Sequence, residues 1–182
     1  MQSDEQKKEK EKNTFISPDI TLSNGINHPQ IGYGTYKVGI TTNQEEDQNK
    51  TTNVINDALS IGYRFFDCAE FYNNESKVGD ALKHSARAIP REELFLCSKV
   101  WTTTIDKGPD AIRAQVNKSL EALKTDYLDL YLVHWPVPGK HVEAYLTLQE
   151  LQKEGVVRGI GLSNYAVEDY LEIKSSLDFS IP

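Results

Sequence analysis

Four side chains able to move or hold a proton sit where apolar runs of the chain come to an end. Asp67 closes "YRFFD", Tyr72 follows it by five residues, Lys99 lies near the end of "LFLCSKVW", and His134 follows "YLDLYLV". Singly, each has a structural explanation. An aspartate after a strand caps a turn, a tyrosine packs, a lysine at a strand end reaches solvent, and a lone histidine is a satisfied core residue. Together they describe one task. A phenol with a pKa near ~10 is a poor acid at neutral pH. A neighbouring ammonium favours its phenolate, and about 4 kcal/mol at 4 Å in an effective dielectric near ~20 is worth roughly three pKa units. Lys99 is thus expected to lower the pKa of Tyr72, Asp67 to keep Lys99 protonated and aimed, and His134 to hydrogen-bond a substrate oxygen beside the phenol. An acid paired with an oxygen-binding donor suits carbonyl reduction.

The elements that must position these groups follow one rhythm. Helical periodicity at Val54, Ala58 and Ile61 stops at Gly62, and "YRFFDC" follows as a strand. A helix carrying Val78, Ala81 and Leu82 then leads to the strand "LFLCSKVW". The stripe Ile112, Val116, Leu120 and Leu123 leads to "YLDLYLVHW", and the stripe Val142, Tyr145, Leu148 and Leu151 leads to "VVRGIGLSN", with a last helix through Val167 and Leu171. The strands are continuous apolar runs, as in a parallel sheet covered by helices. Upstream, short apolar runs flank Asn24-Gly25, which predicts a hairpin with a two-residue turn and a second arm ending at Gly32–Tyr36.

Tyr36, Asp67, Lys99, His134 and Asn164 recur at strand ends at intervals of 31, 32, 35 and 30 residues. One polar position therefore repeats in successive βα units. In an open doubly wound sheet such positions spread along an edge; in a (β/α)8 TIM barrel they converge on one mouth, and the barrel explains the recurrence better. Only about five of eight units are counted here, so residues 15–182 are expected to form the N-terminal part of a barrel whose first and fifth strands are edges. Residues 1–14 read as a disordered charged arm, because they offer almost no apolar surface.

Composition narrows the function classes. The formal net charge is −7, and the arm's four acidic and four basic residues cancel, so the body is acidic and a nucleic-acid partner is not expected. The two cysteines, Cys68 and Cys97, form no disulfide framework, and no long apolar run or leader-like segment occurs, so a cytoplasmic setting without a membrane partner is expected. The four histidines lie in different elements without ligand spacing, so no metal is expected. Gly32-x-Gly34 is not the dinucleotide-binding glycine pattern. Ser163-Asn164 either caps the following helix or faces a planar amide bound in the mouth.

"GYRFFDCAEFYNNESKVGDAL" resembles the signature of the aldo-keto reductase family in its Gly-Tyr-Arg start, Asp67, Ala69, Glu75, Val78 and Gly79. "LFLCSKVW", "LDLYLVHWP" and "VVRGIGLSNY" resemble the family's next three strand motifs in order, so the likeness covers nearly all of residues 20 to 175. The resemblance implies an oxidoreductase that reduces aldehydes or ketones with hydride from a nicotinamide, usually that of NADPH. It implies Tyr72 as proton donor, Lys99 and Asp67 as its tuning partners and His134 as the substrate-orienting group. Thr35, Asp67, Ser163 and Asn164 would contact the nicotinamide end, while Tyr36, Trp101 and Trp135 would line the substrate pocket beside His134, with core packing the alternative for both tryptophans.

Two departures bear on selectivity. Several aldose-reductase-like members have Trp where this chain has Tyr36, and the short "PVPGK" after Trp135 implies an open site. The family's later strands, which grip the adenosine phosphate, have no counterpart among these residues, so the expectation is a C-terminally truncated chain of doubtful activity. A full-length member is expected to be a monomer. The alternative is a non-catalytic remnant or interaction module that keeps the motifs.

Overall fold

The computed structural model describes residues 19–39, 44–85 and 89–177, so the expectation for the arm at 1–14 lies outside the described residues. A two-stranded antiparallel ribbon, β1 (Asp19–Thr21) and β2 (Asn27–Pro29), precedes a repeating β–α succession. The parallel strands are β3 (Gly32–Gly34), β4 (Phe65–Asp67), β5 (Phe95–Val100), β6 (Leu128–Val133) and β7 (Val157–Leu162). Between and after them run α1 (Gln44–Ile61), α2 (Glu75–Lys83), the short α3 (Thr102–Ile105), α4 (Pro109–Leu123), α5 (His141–Lys153) and α6 (Val167–Ser175). The sheet order is β3-β4-β5-β6-β7, all parallel, with β3 and β7 at its edges. Sequential parallel strands joined by helices are the topology of a (β/α)8 barrel, of which five strands are present among the described residues.

Alternation along β5 is lost because both of its faces are covered: Phe95 through Val100 are all buried. On the outer side, Val78, Ala81 and Leu82 of α2, Ile112, Val116 and Leu123 of α4, and Tyr145, Leu148 and Leu151 of α5 close the helical layer over the sheet. Burying each such aliphatic or aromatic side chain contributes about 1.5–3 kcal/mol. Helices α2 and α4 approach closely at Gly79, where a Cβ would press into the Ala122 carbonyl and the Leu123 backbone. The glycine is thus fixed by packing, since its φ is not in the left-handed region.

Two sequence expectations are corrected. The hairpin does not turn in two residues: Leu22 N–H donates to the Ile26 carbonyl and Gly25 N–H to the Leu22 carbonyl, each at 2.8 Å, which leaves Ser23, Asn24 and Gly25 as a three-residue loop. Gly25 takes φ +84°, the left-handed position that such a loop requires at its end. The second arm stops at Pro29, and Gly32–Gly34 belongs to the parallel sheet instead. In α1, the buried face is Thr51, Ile55, Ala58 and Leu59, while Ile61 is 57% exposed, so the stripe drawn through Val54, Ala58 and Ile61 is rotated by about one residue. Burial of a polar Thr51, held by a hydrogen bond to the Asp47 carbonyl, hid that face from an apolar count.

Candidate active site

Strand register brings three of the four groups together. Asp67 is the last residue of β4 and stands level with Cys97 on β5, so Lys99 lies two residues nearer the mouth on the same face. Its long side chain spans that stagger: Lys99 Nζ donates to Asp67 Oδ1 at 2.5 Å and to the Cys68 carbonyl at 2.9 Å. His134 is the first residue beyond β6, tied down by its N–H to the Val100 carbonyl at 3.2 Å. Tyr72 reaches the same place from a 3-10 turn, Glu70–Tyr72, ended by Asn73 in the left-handed conformation at φ 54°. Its hydroxyl lies 3.4 Å from Lys99 Nζ.

These groups border one cavity of about 530 Å³ that also meets Tyr36, Phe71, Trp101, Trp135, Ser163 and Asn164. Nine of the residues singled out from the sequence therefore surround one space. Thr35 does not: it is fully buried beneath the mouth, its hydroxyl donating to the Asp67 carbonyl at 3.0 Å. Asn164, at φ 60°, donates from Nδ2 to the His134 carbonyl and to Ser163 Oγ, both at 2.9 Å. It does not cap α6, which begins at Val167 and whose preceding Ala166 N–H is held by Asp169 at 3.0 Å.

Electrostatics in the cavity follow from burial and one ion pair. Lys99 is held above its ordinary pKa: burial lowers it, and Cys97, then the charge and hydrogen bond of Asp67, together outweigh that loss. The ammonium is therefore charged at neutral pH. His134 is pushed down to about 4 by burial and by Lys99, so its ring is neutral. Its buried Nδ1 has no hydrogen-bond partner among the described residues. Tyr72 departs from expectation: burial raises its pKa by more than Lys99 lowers it, so the phenol stays above its ordinary value. The sequence argument counted the ammonium and omitted desolvation, which favours the neutral phenol.

Two residues at the mouth escaped sequence reading. Phe71 stacks on Trp101 with ring centroids 4.1 Å apart at 27°. Glu70 accepts hydrogen bonds from Trp101 N–H at 2.7 Å and from the Thr104 hydroxyl at 2.6 Å. The sole sequence signal was an acid and an aromatic directly before Tyr72, and their partners lie thirty or more residues away. Among the described residues no group of three or more His, Cys, Asp or Glu is arranged to hold a metal ion, and no helix is long and apolar enough to cross a membrane.

Known proteins share this architecture. The aldo/keto reductase family model matches residues 30–181. A glyoxal reductase of Bacillus subtilis is 40% identical over 160 residues, covering 88% of this chain and 54% of its own length. The crystal structure of an aldo/keto reductase from Brucella melitensis superposes with a TM-score of 0.79 at 32% identity, over 90% of this chain and 60% of that one. A Bombyx mori aldo-keto reductase solved in complex with NADP gives a TM-score of 0.75 at 27% identity, over 90% of this chain and 55% of that one. The chain spans about half the length of the curated relatives it matches. With the family model matched over most of its length, the chain belongs to the aldo/keto reductase family.

Proposed function

We propose that this sequence encodes the proton-transfer side of an NADPH-dependent reductase that converts aldehydes or ketones to alcohols. The observation that carries the reading is the Tyr72 hydroxyl 3.4 Å from the Lys99 ammonium, which Asp67 holds at 2.5 Å, inside one cavity with a neutral His134. A Tyr72 pKa above the ordinary value means that the proton is present at neutral pH. Lys99, charged and aimed, stabilises the phenolate left when that proton moves to a carbonyl oxygen. His134, neutral and bordering the cavity, can hydrogen-bond the same oxygen without bringing a second charge. The name of the Bacillus relative, a glyoxal reductase, supports a carbonyl substrate.

The polar groups at the mouth fit a nicotinamide. Asn164 Nδ2 is committed to His134 and Ser163, which leaves Asn164 Oδ1 as an acceptor and the Ser163 hydroxyl as a donor. A planar carboxamide needs that pair. Asp67 and Ser163 border the same cavity, and Thr35 would act from beneath by fixing the Asp67 backbone. When bound, the nicotinamide of NADPH would supply the hydride.

The test uses the 182-residue chain itself. Both tryptophans, Trp101 and Trp135, border the cavity, so titration with NADPH should quench their emission saturably. A linear, non-saturating decrease would refute cofactor binding by this chain.

A further inference from the structure

We infer that Glu70 is a positioning residue that locks the aromatic wall of the mouth to the turn carrying Tyr72, and thereby sets a preference for flat aryl carbonyls over small aliphatic ones. The inference rests on the reading of the cavity as a carbonyl site. Glu70 and Tyr72 are the two ends of one 3-10 turn, so their backbone moves as a unit. From that turn the Glu70 carboxylate reaches across to the segment that follows β5, where one oxygen takes the Trp101 N–H at 2.7 Å and the other the Thr104 hydroxyl at 2.6 Å. Those donors bracket the first turn of α3, whose N-cap is Trp101 and whose Thr104 is buried. The carboxylate thus holds the segment at two points, and hydrogen bonds to a charged acceptor are the strong kind.

Phe71 makes the clamp a wall. Placed between Glu70 and Tyr72, it stacks on Trp101 at 4.1 Å and lies near-parallel to Tyr36 at 6.3 Å and 22°. Trp101 in turn meets His134 edge-on at 4.9 Å. Phe71 is 48% exposed and Tyr36 51% exposed, so aromatic surface is left uncovered at the mouth, where a flat ring can pack. No backbone hydrogen bond joins the Glu70–Tyr72 turn to the Trp101–Ile105 segment among the described residues; their polar link is the Glu70 side chain. Without it the stack loses its fixed spacing, while Asp67, Lys99 and Tyr72 keep their own contacts.

Amide exchange and ligand affinity test this on the full chain. In Glu70→Ala, exchange of the Trp101 amide should accelerate on the order of tenfold to a hundredfold, the equivalent of one lost charge-assisted hydrogen bond. Affinity for acetonaphthone, read by tryptophan quenching, should fall about tenfold, the loss of one well-placed aromatic contact, while affinity for butanone stays unchanged. Glu70→Gln, which can accept from Trp101 N–H and donate to Thr104, should restore both. An unchanged Trp101 amide in Glu70→Ala, or an unchanged ratio of the two ketone affinities, would overturn the inference. If Glu70→Ala fails to fold, Thr104→Val removes one of the two bonds and should move both readouts the same way by less; no movement overturns it equally. If the wild-type chain binds neither ketone, the carbonyl-site reading fails, and amide exchange alone decides whether Glu70 holds the turn.

Discussion

Acid should destabilise this chain partly through a single imidazole, and His134→Gln should remove that sensitivity. The His134 ring is packed edge-on against Trp101 at 4.9 Å, Tyr72 at 5.8 Å and Phe71 at 6.4 Å, and the residue is only 6% exposed. Burial and the Lys99 charge push its pKa from 6.5 to about 4. The folded value lies below the unfolded one, so as pH falls through about 6.5 the unfolded chain takes up the proton first. Stability that neutral His134 contributes above that pH is lost until the folded ring titrates near about 4. Those two values correspond to about 2 kcal/mol already lost at pH 5. The ring borders an open cavity, so solvent screening reduces this to about 1–2 kcal/mol. Urea denaturation at pH 7.5 and at pH 5 should show the wild type losing that much more stability than His134→Gln. The chain has four histidines, so ring-proton resonances are separable and assignable by the same variant. Parallel losses in the two proteins, or a His134 resonance titrating near its ordinary value, would refute the burial argument.

Three further outcomes follow from the same geometry. Lys99→Met leaves burial and Asp67 unopposed at Tyr72, so the phenol pKa should rise further; ring-carbon resonances of Tyr72 that titrate as in the wild type would contradict this. Glu75 is held above the usual carboxyl range by burial, against hydrogen bonds from Ser98 at 2.6 Å and Ser119 at 3.0 Å. Its contribution to stability is complete below the ordinary carboxylate range and declines as pH rises through the folded pKa, so Glu75→Gln should flatten that decline, and chemical denaturation between about pH 4 and 7 will show it. Gly79→Ala should cost about 2–3 kcal/mol in urea denaturation, because the added Cβ meets rigid backbone of α4 that cannot move aside as a side chain can; a wild-type midpoint would show that α2 and α4 are not held this closely.

What the sequence made legible divides along a physical line. Strands β5, β6 and β7 and the faces of α2 and α5 were readable, since continuous apolar runs and a 3.6-residue stripe report burial directly. The face of α1 was misread because its buried positions include Thr51, whose hydroxyl is satisfied within its own helix. The grouping of Asp67, Lys99 and His134 was visible as a recurrence of polar residues at strand ends. The sign of the Tyr72 shift was not, because the cost of burying a charge depends on how much protein surrounds the group. Glu70 and Phe71 were invisible for another reason: their partners Trp101 and Thr104 lie on the next βα unit, and no local pattern encodes a side chain reaching between units.

The division also explains why Asp67, Tyr72, Lys99 and His134 come together here. Asp67, Lys99 and His134 sit on three consecutive strands, and each neighbouring pair is joined by a parallel ladder with fixed register: Asp67 opposite Cys97, then Lys99 opposite Leu132 and Val100 opposite Val133. Tyr72 hangs from β4 through a turn closed by its own backbone bonds, Tyr72 N–H to the Ala69 carbonyl at 3.0 Å and Asn73 N–H to the Glu70 carbonyl at 3.2 Å. The ladder and turn hydrogen bonds behind the 3.4 Å approach of phenol to ammonium lie within β4, β5 and the turn between β4 and α2, and Thr35 and Asn74 tie that region to the segment after β3. A pair of side chains whose geometry is fixed by neighbouring strands depends little on the rest of a barrel, whereas a dinucleotide laid across the mouth must touch many strand ends at once. Proton transfer and cofactor binding should accordingly separate experimentally: the pKa values of His134 and Lys99 are set within these strands and should be measurable in this chain whatever its affinity for NADPH proves to be.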